Sequence, residues 1–470
     1  MPKKYHIKVR LTRPRFSPIG KFSIIEQDKF CLHCPVDKCI KKDCVYDVYK
    51  KRTFDTYSML DTIDSLCKNC FRCIQECKNN AITKTINPNF RLLGNSYYTP
   101  DLIASTWFQA ETGKIPVSGA GYRGPFTGSG FDSMWTDMSE IVRPTRDGIH
   151  GREYISTSID LGRKPSHLQF DQGGDIRTRY PEIVELPIPV IFDILPFGYV
   201  SKNIYLAMAK AARILNTFMI IDIEEYDSLL EPYVDHLIPL ISIERLSESG
   251  DLVKKARIVE LPFTDRIIED IQKVKEVSKK TIVSIRVSLT EDTEEVVSKL
   301  VSDGAEIIHP CADETGHDIK GVKPRSIKDA IRQIHLRLVS ERCRDEVTII
   351  ASGGIADASH VAKAIICGAD GVGIDIPLLV ALECRVCGNC KNDIPCPVRI
   401  DEIRPEWGER RLVNLLGAWH SQLIEVLGAM GMREIRRLRG EVGRAMFYED
   451  LERETFGEIF GKRDESRRNK

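Results

Sequence analysis

From position 189 onward, short β-branched apolar runs alternate with amphipathic stretches of helical period. The strand-like runs fall at 190–195, 218–223, 237–242, 257–261, 282–287, 306–310, 348–351 and 371–374. Between them, 203–215, 265–278, 291–301, 326–342 and 358–367 space their apolar residues along one helix face. Eight such runs alternating with helices predict a (β/α)8 barrel, an α/β fold. The segments near 226–232 and 247–255 have weak helical character, so an open doubly wound sheet is the alternative. Beyond the barrel, 407–460 predicts two or three charged amphipathic helices and 463–470 a disordered tail.

Upstream of the barrel the pattern changes twice. Residues 96–180 are rich in Gly, Pro, Thr and Arg and hold no period, which predicts a turn-rich connector packed on the barrel. Within it, 118–124 (Ser-Gly-Ala-Gly-Tyr-Arg-Gly) contains the G-x-G-x-x-G spacing. Pro125 follows at once and no strand–helix context surrounds it, so a dinucleotide reading is rejected. Residues 1–95 are punctuated by cysteines, with a polar helical segment predicted around 46–63. The expected organisation is a cluster module at 1–95, the connector at 96–180, the barrel at 181–380, a further cysteine segment at 381–400 and helices at 401–470.

The cysteines carry the most specific chemistry. Eight fall in two runs, Cys31-x2-Cys34-x4-Cys39-x4-Cys44 and Cys67-x2-Cys70-x2-Cys73-x3-Cys77. The second has the spacing of a bacterial ferredoxin [4Fe–4S] site, whose fourth thiolate reaches the neighbouring cluster. Two runs in tandem predict two clusters with crossed ligation: Cys31, Cys34, Cys39 and Cys77 on one, Cys67, Cys70, Cys73 and Cys44 on the other. Val45 and Lys78 stand where the ferredoxin pattern has proline. A third group, Cys384-x2-Cys387-x2-Cys390-x5-Cys396-Pro397, follows the last strand and offers ligands for a [3Fe–4S] or [4Fe–4S] centre. Zinc is the competing metal in both places. Cys311, Cys343 and Cys367 stand alone, the last two in helical segments where a free thiol is usually core or surface.

Composition narrows the class. Apolar residues make up 42% and charged residues 29%, with net charge +0, so nothing recommends nucleic acid. No apolar run is long enough to span a bilayer, and fifteen cysteines without a secretory h-region suggest a metal-binding cytoplasmic chain. Residues 1–52 hold 14 Lys/Arg against 5 Asp/Glu, a basic face that could dock an acidic redox partner or be a solvated arm.

The barrel offers an anion site. Ser352-Gly353-Gly354-Ile355 ends the seventh strand and Gly371-Val372-Gly373-Ile374 forms the eighth. Loops after these strands commonly hold phosphate in such barrels, although both sequences also suit tight βα turns. A phosphate beside iron–sulfur centres suggests a flavin, which converts two-electron into one-electron transfer. Arg286 is a charge in an otherwise apolar fifth strand, read as an inward electrostatic partner for the flavin or as a snorkelling outer residue. The loop from His309 to Asp318 concentrates His, Cys, Asp and Glu, with His309 and Asp313 as candidate acid/base groups or parts of a polar turn.

On these motifs, together with Pro-Val-Ile-Phe-Asp-Ile-Leu-Pro-Phe-Gly-Tyr-Val-Ser-Lys-Asn at 189–203 and Gly-Ala-Glu-Ile-Ile at 304–308, the chain resembles the FMN-binding glutamate synthase family in its short archaeal form. The resemblance covers roughly 30–400. It implies FMN in the barrel mouth, bordered by Phe197, Gly198 and Ser201, contacted by Arg286 in place of a lysine, with its phosphate at Gly353, Gly354, Gly371 and Gly373. It also implies a three-iron cluster on the cysteines after the last strand. Electrons from ferredoxin or an NAD(P)H-oxidising partner would reduce 2-iminoglutarate, formed from 2-oxoglutarate and ammonia, to glutamate. Segments that shape the family's substrate pocket differ: 221–226 reads Ile-Asp-Ile-Glu-Glu-Tyr, and 313–316 reads Asp-Glu-Thr-Gly where the family has Gly-Gly-Thr-Gly. No glutaminase segment is recognised, so ammonia is expected from outside or from another subunit. A divergent amine or imine substrate, and an electron-transfer subunit of a larger redox complex, are the competing readings.

Overall fold

The computed structural model describes residues 5–26, 40–50, 62–116, 130–136, 155–178, 181–318 and 325–460. Eight parallel strands close into a barrel in chain order. They are β1 (Val190–Phe192), β2 (Met219–Asp222), β3 (Leu237–Leu240), β4 (Ile258–Pro262), β5 (Ile282–Ser288), β6 (Ile307–Cys311), β7 (Thr348–Ser352) and β8 (Gly371–Ile374). Closure removes the open-sheet alternative. The two weakly helical connections resolve as a 3-10 segment at Ser228–His236 and a helix at Leu246–Lys255, short links that still return the chain to a parallel neighbour.

The outer ring includes α1 (Lys202–Leu215), α2 (Leu246–Lys255), α3 (Ile267–Val277), α4 (Thr293–Ser302), α5 (Ile327–Ser340), α6 (Ala358–Cys367) and the short α7 (Ile376–Ala381). Alternation along each strand splits the apolar residues by face. Val259, Val283, Ile285, Ile308 and Ile349 pack outward with the helices. Ile191, Ile220, Ile238, Ile258, Ile282, Ile307 and Ile350 belong to the other cluster, with Ile159 among them. Ile159–Leu161 pairs antiparallel with Val184–Leu186 and covers the end where the strands begin: a Cβ on Gly371, the first residue of β8, would meet Ile159 Cδ1 at 2.7 Å.

The C-terminal region is one long helix, α8 (Pro405–Ala429, 25 residues), followed by Tyr448–Phe460. Buried Leu412, Leu415, Leu416 and Trp419 seat α8 in the main core, and a Cβ on Gly408 would lie 2.9 Å from Ala207 Cβ of α1, so glycine sets that helix–helix approach. The connector is more ordered than its composition suggests. Pro100–Thr112 is a helix with a Thr99 cap, burying Leu102, Ile103 and Ala110, and Trp419 Nε1 donates to Gln109 Oε1 at 3.0 Å. Its apolar positions follow no strong stripe because they face two partners, α7 and α8. The Gly-rich stretch at 118–124 and the tail at 463–470 lie outside the described residues.

At the N-terminus, Phe22–Glu26 pairs antiparallel with Ile82–Ile86 and brackets the cysteine runs. Of the expected helix at 46–63, residues 51–61 lie outside the described set. Residues 46–50 are turns, with Asp47 in the left-handed region.

Candidate functional site

The wall at the strand ends is charged. Asp193 follows β1, and Glu260, Arg286, His309 and Ser352 come from β4, β5, β6 and β7. Arg286 Nη1 and Nη2 bind Asp193 Oδ1 and Oδ2 at 2.8 and 3.1 Å, a two-pronged ion pair, and Nη1 also reaches Glu260 Oε1 at 3.4 Å. The other side of Glu260 Oε1 meets His309 Nδ1 at 2.8 Å, while His309 Nε2 lies 2.6 Å from Ser352 Oγ. Glu260 and His309 are fully buried; the Arg286 side chain keeps 22% of its surface at the mouth.

Mutual pairing sets the charge states. Burial opposes ionisation of Asp193, but Arg286 and His309 hold its carboxyl well below the usual range. Burial likewise opposes the charged form of His309, and the Cys311 sulfur and Glu260 outweigh it, raising the imidazole well above its ordinary value. The Arg286 side chain points into the barrel mouth, not outward among the helices. Glu260 and Asp193 were legible by the same signal, one charge in an apolar strand, and were passed over.

Gly373 has a packing role here: a Cβ would sit 2.1 Å from Ser352 Oγ and 3.3 Å from Asp193 Cβ. Gly353 and Gly354 have φ of 102° and 67°, where a side chain is strained. Added Cβ atoms there would meet Asp313 O at 2.7 Å and Gly316 Cα at 2.7 Å. These glycines let the loops after β6 and β7 touch backbone to backbone. Asp313 builds its own loop, with Oδ1 accepting from Thr315 N, Thr315 Oγ1 and His317 N at 2.8, 2.8 and 2.9 Å. Tyr97 donates its hydroxyl to Gly354 O at 2.6 Å. The neighbouring Tyr98 hydroxyl is buried without a partner among the described residues. Burial first, then Asp375, Tyr97, Glu314 and Asp313, push it well up. Asp375 caps α7, accepting from Ile376 N at 2.6 Å, and burial and Asp193 raise its carboxyl to about 7.

Phe197, Gly198 and Ser201 lie on the loop after β1, against the last cysteine segment. Lys391 Nζ sits 4.7 Å from the Phe197 ring centroid and 2.6 Å from Glu314 Oε1, and Ser201 Oγ donates to Asp401 O at 2.9 Å. Cys384, Cys387, Cys390 and Cys396 therefore stand beside the barrel mouth. Burial pushes the Cys384 thiol up to about 12, with Cys396, Cys387 and Cys390 near enough to add to it. Glu383, Val386, Asp393 and Arg399 all have positive φ, a concentration of strained backbone that curls this segment on itself.

In the N-terminal module, Cys44, Cys67, Cys70 and Cys73 line one cavity with Val48, Tyr49 and Lys84. Left-handed Asn69 and Phe71 turn the chain between the thiols. Cys77 is apart, accepting from Ala81 N at 3.3 Å. Cys31, Cys34 and Cys39 lie outside the described residues.

Residues 239–433 match the conserved region in glutamate synthase. Over most of its length the chain is similar to glutamate synthases of the short archaeal type. The archaeal-type glutamate synthase [NADPH] of Dehalococcoides mccartyi is 27% identical, the alignment covering 88% of this chain and 94% of that protein. The archaeal glutamate synthase [NADPH] of Archaeoglobus fulgidus is 26% identical over 93% and 97%. Among solved structures, a flavocytochrome b2 variant with benzoylformate covers 66% of this chain and 75% of its own at 12% identity, with a TM-score of 0.44. No helix among the described residues is long and apolar enough to cross a membrane.

The family's cofactors can be tested against these residues. Four thiols on one cavity and four on one curled segment are donor sets suited to iron–sulfur clusters. For FMN the two ends differ. The partly exposed guanidinium of Arg286 and the partnerless Tyr98 hydroxyl suit a polar ring edge. At the expected phosphate end the glycines are closely packed. Their Cβ space is filled by the 312–316 loop, Ser352 and Ile159; Asp357 accepts from the amides of Ser359 and His360 in α6, and Asp375 from that of Ile376 in α7.

Proposed function

We propose that this chain is a flavin- and iron–sulfur-dependent oxidoreductase of the glutamate synthase type. Cys44 with Cys67, Cys70 and Cys73 would hold one [4Fe–4S] cluster, Cys31, Cys34, Cys39 and Cys77 a second, and Cys384, Cys387, Cys390 and Cys396 a third of three or four irons. The observation that carries the reading is the placement of Cys384–Cys396 against Phe197 and Glu314, at the rim of a barrel whose fifth strand presents Arg286. FMN, when bound, supplies the exchange between single electrons and a hydride. The chain's own residues do the rest: Arg286 offers positive charge at the mouth, His309 stores a proton beneath it, and Ser352 links His309 to the interior.

Glutamate formation from 2-oxoglutarate and ammonia is the reaction we assign first, with electrons from ferredoxin or an NADPH-oxidising partner. The anaerobically reconstituted chain, given reduced ferredoxin, 2-oxoglutarate and ammonia, should form glutamate. A chain that holds reducible flavin and full iron yet makes none would end this assignment.

One observation favours a second reading, a different amine or imine substrate. Asp313, Glu314 and Asp375 all bear on Tyr98, so carboxyl groups gather on that side of the mouth. That field suits a cationic amine or iminium better than a dicarboxylate. Turnover of monoamines in place of 2-oxoglutarate would decide for it.

A further inference from the structure

Within the charged wall, three side chains of metal-binding type converge. Asp193, His309 and Cys311 each offer a ligand atom, and these carboxylate, imidazole and thiol atoms lie within 4.8 Å of one another, all buried. Asp193 Oδ2 and His309 Nε2 are 3.9 Å apart, close to the edge of a coordination tetrahedron with bonds of about 2.0–2.3 Å. We propose that Asp193, His309 and Cys311 form a divalent metal site, of the kind that takes Zn2+ or Fe2+, inside the mouth of the barrel.

The surrounding residues are arranged as such a site requires. His309 Nδ1 is held by Glu260 Oε1 at 2.8 Å, which directs Nε2 to the centre, the carboxylate–histidine pairing usual behind metal-bound imidazoles. Glu260 Oε2, fully buried, has no hydrogen-bond partner among the described residues, so the wall carries an anionic atom without a matching donor. Arg286 does not close the site. Its fork takes one lone pair on each Asp193 oxygen, and a carboxylate offers about four. His309 can bind the metal at Nε2 only as the neutral imidazole, so loading the site releases a proton from His309 and one from Cys311; the divalent cation and Arg286 then face Asp193, Glu260 and the Cys311 thiolate, three positive charges against three negative. Ser352 Oγ is hydrogen-bonded to His309 Nε2 at 2.6 Å, in the room left by the missing Cβ of Gly373, and would give up that contact when the metal binds. One sulfur with nitrogen and oxygen donors selects a borderline ion over Mg2+ or Ca2+. Cys311 ends β6, so the entry path runs through the mouth.

The test uses the full chain with its iron and sulfide reconstituted under anaerobic conditions, then titrated with Zn2+ alone. We expect one zinc per chain, an X-ray absorption spectrum with one sulfur and two or three nitrogen or oxygen neighbours, and unchanged iron content. Cys311→Ser should weaken zinc at least about 100-fold, and Glu260→Gln by about 10–100-fold. Cys384→Ser should leave zinc intact. Equal zinc affinity in Cys311→Ser, an all-sulfur zinc spectrum, or no zinc bound by the wild-type chain at micromolar concentration would each overturn the proposal. Iron content and circular dichroism of Cys311→Ser, a near-isosteric change, separate loss of the site from loss of the fold.

Discussion

Arg286 and Asp193, 93 residues apart in sequence, meet through both prongs of the guanidinium at the top of the barrel. Removing one member of a buried ion pair leaves the other charge desolvated and unpaired, which costs about 3–5 kcal/mol. Arg286→Ala is therefore expected to lower the urea midpoint strongly and to abolish flavin retention, while iron at the N-terminal cysteines stays. Arg286→Lys, a point charge without the fork, should fall between the two. Stoichiometric flavin in Arg286→Ala would remove Arg286 from the cofactor's surroundings.

Gly373 and Ser352 form a second coupled pair. Gly373→Ala forces its methyl to within 2.1 Å of Ser352 Oγ, an overpacking that should cost about 1–3 kcal/mol. Adding Ser352→Ala removes the offending oxygen, so the double variant should regain part of that loss. Denaturation of the four members of this cycle measures the coupling; additive effects would show that the wall does not hold Ser352 where the geometry places it.

Asp375 makes stability fall as pH rises. Its carboxyl titrates near 7 in the folded chain against an ordinary value of 3.8, so the folded state binds the proton more tightly. The stabilisation is fully present below about pH 4 and is lost as pH climbs toward and through 7. Asp375→Asn should match the wild type at acid pH and exceed it at pH 8, by up to roughly 4 kcal/mol. Urea midpoints of the two proteins between pH 4 and 8 give the difference; parallel curves would refute it.

The last cysteine segment gives a counting experiment. Cys390→Ser should lower iron by one cluster's worth, three or four atoms, and remove one set of low-temperature EPR signals without touching those of the N-terminal module. Cys70→Ser should do the reverse. Loss of all iron in either variant would mean that the clusters assemble as one unit.

The barrel was legible because each strand alternates two apolar faces and each helix a stripe, patterns that survive without knowledge of partners. The cysteine spacings were legible for a similar reason: ligand sets within one loop are local. Even there, convergence of Cys44 with Cys67, Cys70 and Cys73 depends on left-handed turns at Asn69, where asparagine tolerates that region, and at Phe71, whose side chain gives no such signal. The helix Pro100–Thr112 was missed because two partners share its surface and no single face is apolar.

What lay in the chain by itself was the period of its elements and the identity of its thiol clusters, both set by residues near one another in sequence. The tertiary structure alone decided the chemistry of the mouth. Glu260, Arg286, His309 and Ser352 come from four strands and Asp193 from the residue after a fifth, and each reads locally as an isolated polar residue. Closure of the barrel brings them within hydrogen-bonding distance in a largely buried place. There every charge must find a partner, so their roles are set by contact distances that no local pattern encodes.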